Sequence, residues 1–340
     1  MKLYILTDYK GNFGSKWNAK PYRSGFDKDL LVDIFSKNQI NVEFLNFSEI
    51  GDPQKYKNQY VLYTSSEDIK YKYKSYIEDI IYILELNGAI LLPSYKYLRA
   101  NNNKVFMSLL EQHLGDKWNK QLKSWVFGTY EDLLKKKHLF KYPVVVKKSE
   151  GSMSKGVFLA KNQPQLLSIS KKISATKNLF QDLKDKFRPF KHGGYQLNSI
   201  YRGKFILQEF IPNLINDWKI LVFGDKYYVL TRHIKDNDFR ASGSHYNYLA
   251  GSKAIMLDGL LDFAKTVFDA INLPHLSIDV VYDGCDFHLI EYQTLYFGTS
   301  THDMSDVFFT LNENLWEQIP NKITIEEVYV DSVVQFILKV

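Results

Sequence analysis

His275-Leu276-Ser277-Ile278-Asp279-Val280-Val281-Tyr282 and, beyond the turn Asp283-Gly284-Cys285-Asp286, Phe287-His288-Leu289-Ile290-Glu291-Tyr292-Gln293 are two β-rich runs with carboxylates inside otherwise apolar strands. The turn residues between them predict a hairpin. A carboxylate in such a strand is costly unless it is ion-paired or coordinates a metal. Glu291 and Gln293 are two apart, so their side chains leave the same face. If Tyr282 pairs with Asp286, Asp279 falls opposite Leu289 and shares that face; a slip of one residue sends it to the other. For Asp279, Glu291 and Gln293 to meet in one cavity, the hairpin needs an odd-length turn or a bulge. Hard oxygen donors of this kind suit Mg²⁺, which also takes substrate phosphates. On these residues alone two readings stand: a metal site, or a sheet-edge ion pair beside an exposed Glu.

Upstream, Pro143-Val144-Val145-Val146-Lys147-Lys148 is a β-branched strand running into Ser149-Glu150-Gly151-Ser152-Met153-Ser154-Lys155-Gly156, with a second strand from Val157 to Ala160. A lysine at a strand end, beside backbone N–H groups freed by glycine, can hold phosphate oxygens. A plain hairpin turn explains the same residues. The spacing is not a P-loop, because Val157 follows where Lys-Ser or Lys-Thr would stand.

The chain around these hairpins has 340 residues, 45% hydrophobic and 24% charged. That length suggests two or three domains or one elaborated domain, and the composition excludes disorder and fibrous repeats. The best apolar run, Ile80 to Leu92, is broken by Glu85, Asn87 and Gly88, so no membrane crossing is expected. The start is too short in apolar residues for a signal peptide and Cys285 is alone, which points to the cytoplasm. Net charge is +6, yet Gln165 to Lys204 holds nine Lys and Arg against two Asp. A basic patch is therefore local, a solvated helical face being its simplest reading, and no nucleic-acid partner is expected.

Lys2 to Asp8 reads as a buried parallel strand that enters a loop through Gly11, Gly14 and Gly25. A helical pattern from Phe26, strands at Val42–Leu45 and Tyr60–Thr64, a helix at Tyr76–Leu86 and a strand at Ala89–Leu92 complete a small parallel α/β domain over 1–95. Beyond it come a helix at Lys104–Leu114, a strand at Phe205–Phe210, a hairpin of Lys219–Phe223 with Lys226–Arg232 around Gly224-Asp225, and a helix at Leu257–Ile271. The pattern thus turns from parallel units to antiparallel hairpins.

The order of Asn103-Lys104, Val144-Val145-Val146-Lys147 with its Gly/Ser loop, Leu207-Gln208-Glu209-Phe210-Ile211-Pro212, Asp217-Trp218-Lys219, Gly224-Asp225-Lys226, Arg232, Asp238-Phe239-Arg240, Asp279 and Glu291-x-Gln293 resembles the ATP-grasp superfamily, above all its carboxylate–amine ligases. The resemblance covers about residues 95 to 300. It implies an α/β chain with an ATP-grasp fold, two α+β subdomains clasping ATP, over 96–340, with 140–210 as the lid-like subdomain. The preceding 1–95 resembles the α/β domain that commonly goes before such folds.

Carried across by position, Lys104 and Lys147 would hold ATP phosphates, with Glu150, Gly151, Ser152 and Gly156 in the loop closing over them. Gln208, Glu209, Phe210 and Ile211 would form the hinge beside adenine, and Asp217 a ribose or active-site contact. Arg232 would steady the transferred phosphoryl group, joined by Arg240. Asp279, Glu291 and Gln293 would hold Mg²⁺, Gln293 standing where relatives have Asn and Lys219 where many have Arg. Relatives often bind the acceptor at the leading domain's edge, which here offers Lys16, Tyr22 and Arg23.

The activity implied is an ATP-dependent, ADP-forming C–N ligase working through an acyl phosphate. ATP and Mg²⁺ would bind in the cleft between the Lys147 hairpin and the Asp279–Gln293 hairpin. The partners expected are a small-molecule or saccharide carboxylate and an amine, or less often a thiol. The cations and aromatics of the Tyr9–Phe26 loop and the basic segment favour a uronic-acid sugar or polysaccharide precursor. Neither a membrane nor a nucleic-acid partner is expected; a homo-oligomer is compatible with all of this. A small-molecule kinase of the same broad fold, or a non-catalytic nucleotide-binding protein, are the alternatives. His233 and His245 fall near the presumed substrate face, where each reads first as a surface residue.

Overall fold

The computed structural model describes residues 1–114, 118, 122–151, 156–236, 238–240 and 246–339. The first apolar run forms strand β1 (Lys2–Thr7), with Leu3, Ile5 and Leu6 fully buried. Helix α1 (Lys28–Lys37) starts where the Asp27 carboxylate accepts from the backbone N–H of Asp29 and Leu30, and it buries Leu31 and Phe35. Strands β2 (Asn41–Asn46) and β3 (Tyr60–Tyr63) pair in parallel with β1. Helix α2 (Lys72–Leu86) buries Ile77, Ile81 and Leu84, the spacing of one helical face. Strand β4 (Ile90–Leu92) completes a parallel sheet of order β2-β1-β3-β4, and α3 (Tyr95–Ala100) follows.

Next in the chain come α4 (Lys104–Leu114), β5 (Ser124–Phe127), α5 (Tyr130–Lys136), β6 (Val144–Lys148), β7 (Val157–Ala160), α6 (Gln163–Ser174), α7 (Leu179–Lys191) and β8 (Phe205–Glu209). The strands form an antiparallel sheet of order β5-β8-β6-β7. Alternation assigns its two faces. Phe127, Val144, Val146, Ala160, Phe205 and Leu207 pack with Leu133 of α5 and Leu166 of α6. Val145 pairs with Gln208 and Lys147 with Ile206, so these four take the other face.

The remaining elements are β9 (Asn216–Phe223), β10 (Lys226–His233), β11 (Tyr248–Ala250), α8 (Leu260–Ile271), β12 (His275–Tyr282), β13 (Phe287–Gln293), α9 (Ser300–Met304), β14 (Val307–Asn312), β15 (Leu315–Pro320) and α10 (Ile325–Lys339). Their sheet runs β13-β12-β9-β10-β14-β15, with β11 also on β10. Two compact units result. One is 1–101, 114–120 and 213–340; the other is 102–113 and 121–212. The division runs differently from the boundary expected near residue 95. Leu3, Ile5, Leu31 and Phe35 share one apolar cluster with Leu221, Phe223, Tyr228 and the α10 residues Val330, Val333 and Ile337. The leading parallel sheet thus belongs to the same core as the β9–β10 hairpin.

Candidate active site

The β12–β13 hairpin closes with Tyr282 opposite Phe287, one residue from the Tyr282–Asp286 pairing expected. Val280 then faces Leu289, and an irregularity between Asp279 and Val280 leaves Ile290 as an extra residue, so that Asp279 stands opposite Glu291 and Ser277 opposite Gln293. Asp279 does not pair with Leu289. The bulge restores a common face for Asp279, Glu291 and Gln293, which a plain ladder from this turn would have split. On the other side of β12, Asp279 pairs with Lys219 of β9, and across β9 Asp217 pairs with Arg232 of β10. Four adjacent strands therefore project Arg232, Asp217, Lys219, Ser277, Asp279, Glu291 and Gln293 from one face.

These groups form a charged network. Arg232 Nε donates to Asp217 Oδ1 at 2.6 Å and Nη2 to Asp217 Oδ2 at 2.8 Å, a bidentate pair. The same Nη2 lies 3.0 Å from Asp279 Oδ2. Lys219 Nζ donates to Ser277 Oγ at 2.7 Å and stands 3.7 Å from Asp279 Oδ1. Burial works against the charge on Arg232, but Asp279 and Asp217 outweigh it and keep the guanidinium protonated. Burial pushes the Asp217 carboxyl up to about 6, against the pull of Arg232. Burial also lowers the Lys219 ammonium, an effect that Asp279 opposes. With all five ionised, two cations face three carboxylates, and one negative charge remains. Among the described residues no three His, Cys, Asp or Glu side chains gather as a metal-holding group. The donor set is two carboxylates and an amide, which suits an ion that completes its shell with water and phosphate oxygens.

The other unit carries a second cluster. Asn103 Oδ1, just before α4, accepts from Phe106 N–H (3.2 Å), Ser149 Oγ (3.1 Å) and Lys204 Nζ (2.9 Å). Lys104 donates from its backbone to Ser149 O at 2.8 Å and from Nζ to Gly151 O at 2.9 Å. The end of the β6 strand is thus tied to the first turn of α4. Gly151 has φ +114°, a conformation that only glycine adopts easily. Lys147 and Gln208 are buried on one face of the sheet, whereas Glu150 and Glu209 are exposed and Ile211 is buried just past β8. Gly156 donates no space to a side chain: its Cβ would sit 3.0 Å from Lys148 Cβ. Ser152, assigned to this loop by resemblance, lies outside the described residues, as do Ala241, Ser242 and His245.

Lys16 Nζ is 2.7 Å from Glu326 Oε1, a carboxylate only 1% exposed, so it anchors the first loop to α10. Tyr22 is 78% exposed and Arg23 stacks on its ring. Arg240 pairs with Asp238 through Nε at 3.0 Å. One ring nitrogen of His233 is 3.0 Å from Asn247 O. Both oxygens of Asp217 accept from Arg232. Sequence reasoning did not single out Ser277 or Lys204. Ser277 was legible as the residue two before Asp279, hence on the same face.

Comparison with protein families matches residues 100–295, more than half of the chain, to the RimK-like ATP-grasp domain. No curated protein matches. Among solved structures, the D-cycloserine synthetase DcsG is similar, with 11% identity, TM-score 0.57 and coverage of 98% of this chain and 99% of that one. A RiPP-associated ATP-grasp ligase of Chryseobacterium gregarium, in complex with ADP and a leader and core peptide, shares 13% identity at TM-score 0.55, covering 100% of this chain and 97% of the other. The ATP-grasp ligase PsnB, complexed with a minimal precursor, Mg and ADP, shares 10% identity at TM-score 0.51, covering 98% and 96%. At these identities the likeness is one of fold, and the fold is ATP-grasp, whose enzymes use ATP and Mg²⁺. By the extent of its match, the chain belongs to the RimK-like ATP-grasp family of ATP-dependent ligases.

Proposed function

We propose that the protein is an ADP-forming carboxylate–amine ligase that activates its acid as an acyl phosphate. The observation that carries this is the single face bearing Arg232, Lys219, Asp279, Glu291 and Gln293 in a chain of this family. A carboxylate is a poor acyl donor because oxide would have to leave; taking the γ-phosphoryl of ATP gives it a good leaving group. Lys104 and Lys147 hold phosphate oxygens, and the backbone beside Gly151 adds N–H donors. Asp279, Glu291 and Gln293 hold Mg²⁺, which when bound neutralises phosphate charge. Arg232, fixed by Asp217, meets the charge that grows on the transferred group, and Lys219 adds a second cation.

The acid is best read as carried on a peptide. Of the four cations in the loop that favoured a uronic acid, Lys16 pairs with Glu326, and of two structural neighbours of the same fold one is complexed with a leader and core peptide and the other with a minimal precursor. The test is hydroxylamine trapping with pooled acids, read by mass spectrometry. An acyl hydroxamate that requires both ATP and an acid is expected, and it should fall by roughly 10²-fold or more in Lys147→Ala and in Glu291→Ala. ADP formed with a phosphorylated hydroxyl and no hydroxamate would identify a kinase. Normal turnover in both variants would move the site elsewhere.

A further inference from the structure

Helix α7 has no buried residue among its thirteen, although its sequence Leu179-Phe180-Gln181-Asp182-Leu183-Lys184-Asp185-Lys186-Phe187-Arg188-Pro189-Phe190-Lys191 is strongly amphipathic. Leu179, Phe180, Leu183, Phe187 and Phe190 are between 56% and 88% exposed. At about 100° per residue these five fall within an arc of roughly 100°, a complete apolar stripe. Lys184 and Lys191 border it on one side and Lys186 on the other. Asp185 lies behind, paired with Arg188 at 2.8 Å. Lys184 Nζ sits 4.3 Å from the Phe180 ring centroid, at the edge of the stripe. The segment around the helix, Gln165 to Lys204, holds nine cations against two acids.

A helix with all of its apolar side chains exposed stands out from the fold as a ridge, and a soft surface can take such a ridge in. Cations along both borders of the stripe call for negative charge on either side of the buried part. We propose that α7 is an interfacial helix that lays its Leu/Phe face into a bilayer surface rich in anionic phospholipid, with Lys184, Lys186 and Lys191 at the headgroups. This departs from the expectation of no membrane partner, which rested on spanning segments. Among the described residues no helix is long and apolar enough to cross a membrane, and peripheral contact needs none.

The test is co-sedimentation of the full chain with vesicles of phosphatidylcholine alone and with equal parts of phosphatidylglycerol. Binding to the anionic vesicles only, weakened by added salt, is expected. The double variant Phe187→Asp/Phe190→Asp should partition on the order of tenfold less or worse, with an unchanged melting temperature because both rings are exposed. Lys184→Glu/Lys191→Glu gives an independent reading through the headgroup contacts and should weaken binding about severalfold. No binding to anionic vesicles at low salt overturns the proposal, as does binding that survives both double variants. Self-association of the wild-type chain that the Phe variant abolishes, without vesicle binding, would assign the face to a second copy. Capture of an acidic peptide in place of vesicles would assign it to a protein partner.

Discussion

His275 at the start of β12 is 3% exposed, with its ring centroid 4.7 Å from that of Tyr329, 5.9 Å from Phe297 and 6.0 Å from Phe223. Burial lowers its pKa from 6.5 to about 3. Above pH 6.5 neither the folded nor the unfolded chain protonates this imidazole. Between pH 6.5 and about 3 the unfolded chain binds a proton that the folded chain refuses, so stability is lost as the pH falls, by at most about 1.4 kcal/mol per unit. His275→Phe keeps the ring and removes the titration. Its urea midpoint should therefore vary less with pH between 6.5 and 4 than that of the parent, and equal slopes would show that the imidazole is already protonated in the fold. Nothing in the sequence marked this histidine, because its burial comes from rings on β9, α10 and the segment after β13. The carboxylates of Asp279 and Glu291 were legible, since a charge in an apolar strand needs a partner wherever the strand is placed. Arg232 was assigned a role only by resemblance, and its clamp on Asp217 depends on strand pairing that no local pattern encodes.

At the scale of elements, the period-2 and period-3.6 patterns located α4, β7, β12 and β13 at their observed bounds, whereas register escaped them. The turn sequence allowed Tyr282 to meet Asp286 or Phe287, and the consecutive apolar pair Leu289-Ile290 before Glu291 was the one sign of a bulge. The β14–β15 hairpin and α10 were not read at all. The loop from Tyr9 to Phe26 was read as glycine-formed, and the structure gives the reason. Phe13 and Gly25 form a bridge, Phe26 N–H donates to Phe13 O at 2.9 Å, and Gly25 has φ +81°. A Cβ on Gly25 would lie 2.1 Å from Phe13 O, backbone that cannot move aside cheaply. Gly25→Ala should thus destabilise by about 2 kcal/mol or more, lowering the melting temperature by roughly 3 °C or more. A thermal melt within a degree of the parent would mean that the loop relaxes without penalty.

For the whole molecule, the sequence suggested that the parallel α/β segment is a domain of its own, as its hydrophobic pattern is complete over 1–95. Pattern alone cannot tell which neighbour a buried face meets. Leu3, Ile5, Phe13, Leu31 and Phe35 are buried in a cluster that includes Leu221, Phe223, Tyr228, Val330, Val333 and Ile337, all more than a hundred residues further on. Buried apolar side chains of this size each contribute about 1.5–3 kcal/mol, and the net stability of a domain is only about 5–15 kcal/mol. Uncovering several of them at once would therefore consume the whole margin. A fragment of residues 1–101 should lack a cooperative thermal transition by circular dichroism and should bind a hydrophobic dye, although its second cluster, around Leu6, Val61, Ile77 and Ile81, remains intact. Residues 1–101 joined by a short linker to 213–340 should regain the transition, because that chain restores the shared core. Cooperative melting of 1–101 alone would show that the parallel sheet closes its own core and that the later strands only rest on it.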